Sequence, residues 1–292
     1  MPKKHLTTVL LTRLLKTVNK GNILVVGDSY TKSWDDYTFR SDVFNDAGSN
    51  SLDHVAGDGF IRSAKLFFEI AGFGASDRGI PGGSNSKAID EILKNLHDQY
   101  DFIIIFLTTP SRDLEVKAYS EFKDFKIRTD DDIVWINKVS NTHTYSRLKE
   151  IANQHQIPIL CVGGLHPIDT DIFSQFTDKY LKLAMPWCLK FLAPNLKENF
   201  KRHIRWGYLN DCGALDSASL DVMPPVYTRE VDYTRYGFRG PRKIMQGTEP
   251  DEFNWESVEP WLFPDGIHLN LNAMWRIVDW LDVYITKIKR DQ

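Results

Sequence analysis

Three short runs of consecutive apolar residues constrain this chain more than any other feature: NILVV at residues 22–26, DFIIIFL at 101–107 and IPILCV at 157–162. Each is too short for a helix that pays its nucleation cost, rich in β-branched or aromatic residues, and bounded by glycine or polar residues. Such a run reads as a strand buried on both faces. The second and third runs each follow a stretch of helical periodicity, over residues 87–100 and 146–155. Strands that alternate with helices build a parallel α/β sheet, and in such sheets ligands bind beyond the carboxyl ends of the strands. The residues directly after each run are therefore the first place to look for chemistry.

The remainder is organised around that sheet. Residues 1–20 place Leu6, Val9, Leu10, Leu14 and Val18 at helical spacing, which predicts an N-terminal amphipathic helix packed on the domain, with binding at a membrane surface as the alternative. Arg13 and Lys16 interrupt its apolar residues, so it does not read as a signal peptide. Residues 167–264 are loop-rich, containing Pro224, Pro225, Pro241 and Pro250, with helix expected over 175–192. Residues 269–289 form a good amphipathic helix that must return to cover the sheet. One domain over residues 1–292 with long insertions is the expectation, and two domains the alternative.

Charge and composition narrow the partners. The 36 Lys and Arg against 39 Asp and Glu leave a net charge of −3, too little for a general attraction to nucleic acid or acidic lipid. Residues 201–205 (KRHIR) and 235–243 (RYGFRGPRK) interleave basic and aromatic residues as polyanion binders do, yet no nucleic-acid partner is expected. No apolar run approaches the ~18 residues of a membrane span. The 3 cysteines, Cys161, Cys188 and Cys212, are widely spaced and form no CxxC, so neither a disulfide framework nor a zinc ribbon is expected. The histidines make no HxH or HExxH spacing, and no metal site is expected. A reducing, cytoplasmic setting fits best.

The turn after the first run reads Gly27-Asp28-Ser29-Tyr30. A serine where a strand gives way to a helix has its hydroxyl exposed, and its amide and the helix dipole can both stabilise an oxyanion. A plain helix N-cap is the simpler alternative. Far along the chain, Asp265-Gly266-Ile267-His268 puts an acid and an imidazole three residues apart before the last helix, so the carboxylate can hold one ring nitrogen while the other acts as general base. A capping Asp and a surface His would look the same. Residues 78–85, RGIPGGSN, form a Gly-rich turn before a helix whose amides can approach a developing negative charge. The turn lacks the Gly-Lys-Ser/Thr ending of a phosphate loop and the third Gly of a dinucleotide fingerprint. The GxSxG elbow of ordinary serine hydrolases occurs nowhere.

GDSY after the first strand, GIPGG about fifty residues later and DGIH near the C-terminus resemble blocks I, II and V of the SGNH (GDSL-type) hydrolase family. They span residues 23–270 in the right order. The resemblance implies a flavodoxin-like three-layer α/β/α sandwich with a mainly parallel sheet, hydrolysing carboxylic esters without metal or organic cofactor. It implies that Ser29 is the nucleophile and one oxyanion donor through its amide, Gly82 the second donor, His268 the base and Asp265 the residue orienting it. Asp28 would be structural. In block III the family places an Asn, as Gly-x-Asn-Asp, directly after the third strand as a further oxyanion donor. Here the strand runs into Thr108-Thr109-Pro110-Ser111-Arg112-Asp113, and no Asn occupies that place. Arg112 is the preferred substitute, with Thr109 from the same loop and Asn85 from the Gly-rich turn as the others.

Aromatic residues lie close in sequence to the candidate motifs: Trp34, Tyr37 and Phe39 after Ser29, and Trp255, Trp261 and Phe263 before Asp265. Sugar rings stack on such faces, so Trp34, Tyr37 and Trp261 are candidate contacts for an acylated carbohydrate, with packing of the insertions as the alternative. His166, after the fourth strand, could line the pocket or be a hydrogen-bonded loop residue. The expected function is a serine esterase removing small acyl groups, such as acetyl, from a small-molecule or carbohydrate ester. Acyl transfer by the same triad, or a binding protein on a decayed hydrolase, are the alternatives.

Overall fold

The computed structural model describes residues 19–28, 31, 64–80, 83–97, 99–126, 130–164, 166–196, 227–231, 242–246, 269 and 271–291. The elements run β1 (Asn22–Val26), α1 (Ala64–Ile70), β2 (Gly74–Asp77), α2 (Asn85–Asn95), β3 (Phe102–Leu107), α3 (Ser111–Glu115), α4 (Asp130–His155), β4 (Ile159–Gly163), α5 (Thr170–Phe173), β5 (Leu181–Met185), α6 (Cys188–Leu192), β6 (Tyr227–Val231), β7 (Arg242–Gln246) and α7 (Leu271–Asp291). The expected helix over residues 1–20 lies, but for Asn19 and Lys20, outside the described residues.

Strands β1 to β5 form one sheet in the order β2-β1-β3-β4-β5, every pair parallel. That is the flavodoxin-like order, with the topological switch point between β1 and β3. The three strands legible as apolar runs are its centre, and their side chains alternate between two cores. Ile23, Val25, Phe102, Ile104, Phe106, Leu160 and Val162 face one cluster with residues of α1, α6 and α7. Leu24, Val26, Ile103, Ile105, Leu107, Ile159 and Cys161 face another with residues of α2, α4 and α5. Helices thus cover both faces, giving the expected three-layer α/β/α sandwich with a parallel central sheet.

Two strands depart from the sequence reading. The helix expected over 175–192 is in fact the end of a turn, strand β5 and the short helix α6. LKLAM has little β preference of its own, but Asp178 caps the turn before it, its Oδ1 accepting from the amides of Tyr180 and Leu181 at 2.8 Å each, and β4 offers an open edge to pair with. Tertiary pairing overrides propensity there. Strand β2, GASD, is an edge strand without a large apolar residue. β6 and β7 pair as a separate antiparallel ladder, Tyr227 opposite Gln246. Among the described residues no helix is long and apolar enough to cross a membrane.

Candidate functional site

The carboxyl ends of β1 and β3 lie side by side at the switch point, Val26 opposite Ile105. The chain leaves β1 through Gly27, where a Cβ would sit 2.8 Å from the Phe106 carbonyl oxygen, so only glycine lets the turn pass this close to β3. Asp28 follows, 1% exposed, and its carbonyl accepts from both the amide and the hydroxyl of Thr31. The Gly-rich turn is tied to β1 by the last two bonds of the ladder, Arg78 amide to Val25 carbonyl and Ile80 amide to Gly27 carbonyl, each 2.8 Å. Ser84 then caps α2, its side chain accepting from the Lys87 amide.

The segment after β3, which leads into α3, is the centre of this end of the sheet. Thr108, Thr109, Ser111, Arg112 and Asp113 are all buried. Arg112 is not a solvated loop residue: its Nη1 donates to Asp28 Oδ2 at 2.9 Å and to the Gly83 carbonyl at 3.2 Å, with the ion pair's side chains only 5% and 1% exposed. Asn85 turns its amide onto the peptide of Thr108, donating to its carbonyl at 3.2 Å and accepting its amide at 2.8 Å. Asp113 accepts from the Ser86 amide at 2.9 Å and from the Ser140 hydroxyl of α4. Burial nevertheless pushes its carboxyl above the usual carboxylate range, the hydrogen bonds opposing that rise. The hydroxyls of Thr108, Thr109 and Ser111 are buried and make no hydrogen bond.

Of the sequence-derived candidates, the structure therefore brings Arg112, Thr109 and Asn85 together around the turns after β1 and β2. Ser29, Gly82, Asp265, His268, Trp34, Tyr37 and Trp261 lie outside the described residues, although Asp28 and Gly83, the immediate neighbours of Ser29 and Gly82, are described. His166 is buried with Nδ1 2.8 Å from the Pro167 carbonyl, a loop histidine held by the backbone. Cys188 and Cys161 are buried free thiols, and burial, joined for Cys188 by the charge of Asp28, pushes both well above the ordinary thiol range. Among the described residues no three His, Cys, Asp or Glu side chains are grouped to share a metal ion.

No protein-family model matches the chain, and no curated protein does. Two solved structures align with most of it at low similarity. A candidate GDSL-like lipase from Parabacteroides merdae ATCC 43184 is 10% identical, with 94% of this chain and 99% of that one covered and a TM-score of 0.35. A possible lipase from Chitinophaga pinensis DSM 2588 is 10% identical, with 92% and 99% covered and a TM-score of 0.37.

The resemblance gave Asp28 a structural part, which fits its pairing with Arg112; Asp113, the end of a polar run, was missed. Two charged residues side by side, Arg112 and Asp113, in a loop directly after a fully buried strand were the available signal, because charges there must be paired to be tolerated.

Proposed function

We propose that this protein is a serine esterase of the SGNH type, with Ser29 as nucleophile, His268 as base and Asp265 orienting it. The observation that carries the reading is the junction at the β1/β3 switch point, where one buried guanidinium joins the residue before Ser29 to the residue after Gly82. This is the end of a parallel sheet where ligands bind, and the two turns it joins are those whose amides would stabilise an oxyanion.

His268 takes the Ser29 hydroxyl proton as Oγ bonds to the acyl carbon. The tetrahedral intermediate collapses, and the departing alkoxide takes that proton from His268. Water then attacks the acyl-enzyme, giving its proton to His268, and the acid leaves as Ser29 regains the proton. The amides of Ser29 and Gly82 stabilise the oxyanion in both steps. In place of the family's Asn we assign Thr109. Arg112 directs Nη1 at Asp28 and Gly83, and Asn85 holds the Thr108 peptide, whereas the Thr109 hydroxyl has no partner at the end of β3. Trp34, Tyr37 and Trp261 are the proposed stacking contacts for an acetylated carbohydrate.

Hydrolysis of short-chain nitrophenyl esters and of acetylated sugars tests the reading. Wild type releases acid, Ser29→Ala and His268→Ala do not, and Thr109→Val loses about 100- to 1000-fold in kcat, the loss typical of one oxyanion donor. Acyl transfer would appear as acylated product when a sugar alcohol is added. No turnover with any ester, by folded protein, would favour a binding protein on the same fold.

A further inference from the structure

We infer that Arg112 is the positioning residue of this site, its guanidinium fixing the turn after β1 against the Gly-rich turn after β2. For its effect on turnover the inference rests on the serine-esterase reading; the clamp itself does not.

Three contacts bolt the start of α2 to the loop after β3: Asn85 on the Thr108 peptide, the Ser86 amide on Asp113, and the Gly83 carbonyl on Arg112. Of these three only the last continues to β1, through Asp28 Oδ2. The residues it joins lie 84 and 29 positions from Arg112, so the link is set by tertiary structure and by no local turn preference. Backbone pairing holds β1 and β2 together as far as the Ile80 amide on the Gly27 carbonyl. Beyond it, Asp28 and Gly83 are joined through the guanidinium; in sequence Gly82 falls between Ile80 and Gly83, and Ser29 directly follows Asp28.

The choice of residue fits this role. A buried ion pair is seldom worth more than the apolar packing that could replace it, so its value lies in fixing one geometry. A planar guanidinium sets the direction of its bonds, where an ammonium would act as a point charge. The oxyanion amides must keep their spacing to a fraction of an ångström, and a displacement of ~1 Å can cost about 100-fold in rate. Arg112 thus stands near the place of the family's Asn without replacing it as a donor: it acts on the reaction through Asp28 and Gly83.

The test compares the full-length wild type with Arg112→Lys, Asp28→Asn and the double variant by two readouts. The first is the rate of labelling by a fluorophosphonate across probe concentrations; the second is the amide resonances of Asp28, Thr31, Gly83 and Ser84 in a ¹⁵N spectrum. Arg112→Lys keeps the charge and loses the planar guanidinium that sets the direction of the two Nη1 bonds; Asp28→Asn keeps an acceptor, so one folded variant suffices if the other is lost. The expected result is labelling about 10- to 100-fold slower at saturating probe with half-saturation little changed, and amide shifts centred on those four residues. The double variant should be no slower than the slower single one, because both changes break one link. Wild-type labelling rates with the four amides in place would overturn the clamp, as would slowing in the double variant equal to the product of the singles, which would mean that Arg112 acts independently of Asp28. A wild type that takes no label at all overturns the esterase reading; the amide shifts alone then uphold the clamp if they appear and overturn it if they do not.

Discussion

Asp113 brings a carboxyl group into the interior beside two donors, the Ser86 amide and the Ser140 hydroxyl, and burial still raises its pKa above the ordinary range. A carboxyl whose folded pKa exceeds its unfolded value holds its proton longer in the folded state, so stability falls as pH rises from the unfolded pKa, ~3.9, through the raised folded one, then levels off. Denaturant unfolding across that window should show this downward slope in wild type and lose it in Asp113→Asn, which does not titrate. Parallel curves would contradict the assignment. At Gly27 the constraint is steric: a methyl group would press on the Phe106 carbonyl oxygen at 2.8 Å. Gly27→Ala should cost about 1–3 kcal/mol in the same unfolding experiment, as overpacking does.

At the scale of elements, β3 carries the fold. All six of its residues are buried, flanked by β1 and β4 and facing both cores. Ile104→Ala removes a side chain with no exposure and should cost about 2–5 kcal/mol, read as a lower denaturant midpoint at unchanged slope. The same burial made β1, β3 and β4 legible in the sequence, because a strand covered on both sides must be a continuous apolar run. Strands β2 and β5 lie at the edges and escape that rule: GASD has no apolar signal, and LKLAM takes its conformation from β4. The site was legible in the same uneven way. Gly27-Asp28-Ser29 and the Gly-rich turn announce themselves locally, but the pairing of Arg112 with Asp28 spans 84 residues and follows only from the strand order. The same pairing is the ground for the positioning role we propose for Arg112.

Across the whole molecule the two ends of the sheet divide the work. At the amino ends, the Asn22 amide donates to Asp101 Oδ2 at 2.6 Å and the Asp101 amide to the Asn22 carbonyl at 2.8 Å, while Lys20 Nζ reaches both oxygens of Asp282 at 2.7 Å and ties the start of β1 to α7. These contacts hold chain segments together; the Lys20–Asp282 pair is partly open to solvent, so salt should weaken it more than the buried pair at the other end. At the carboxyl ends, buried polar groups surround the turns next to Ser29 and Gly82, most of them hydrogen-bonded, with the hydroxyls of Thr108, Thr109 and Ser111 left over. Polar groups concentrated at one end of an apolar sheet are where catalysis is to be sought. The most direct measurement of that claim is the intact mass of the protein after incubation with a fluorophosphonate. The account predicts one adduct, absent in Ser29→Ala and in His268→Ala. An unmodified wild type, under conditions that label a known serine esterase, would contradict it.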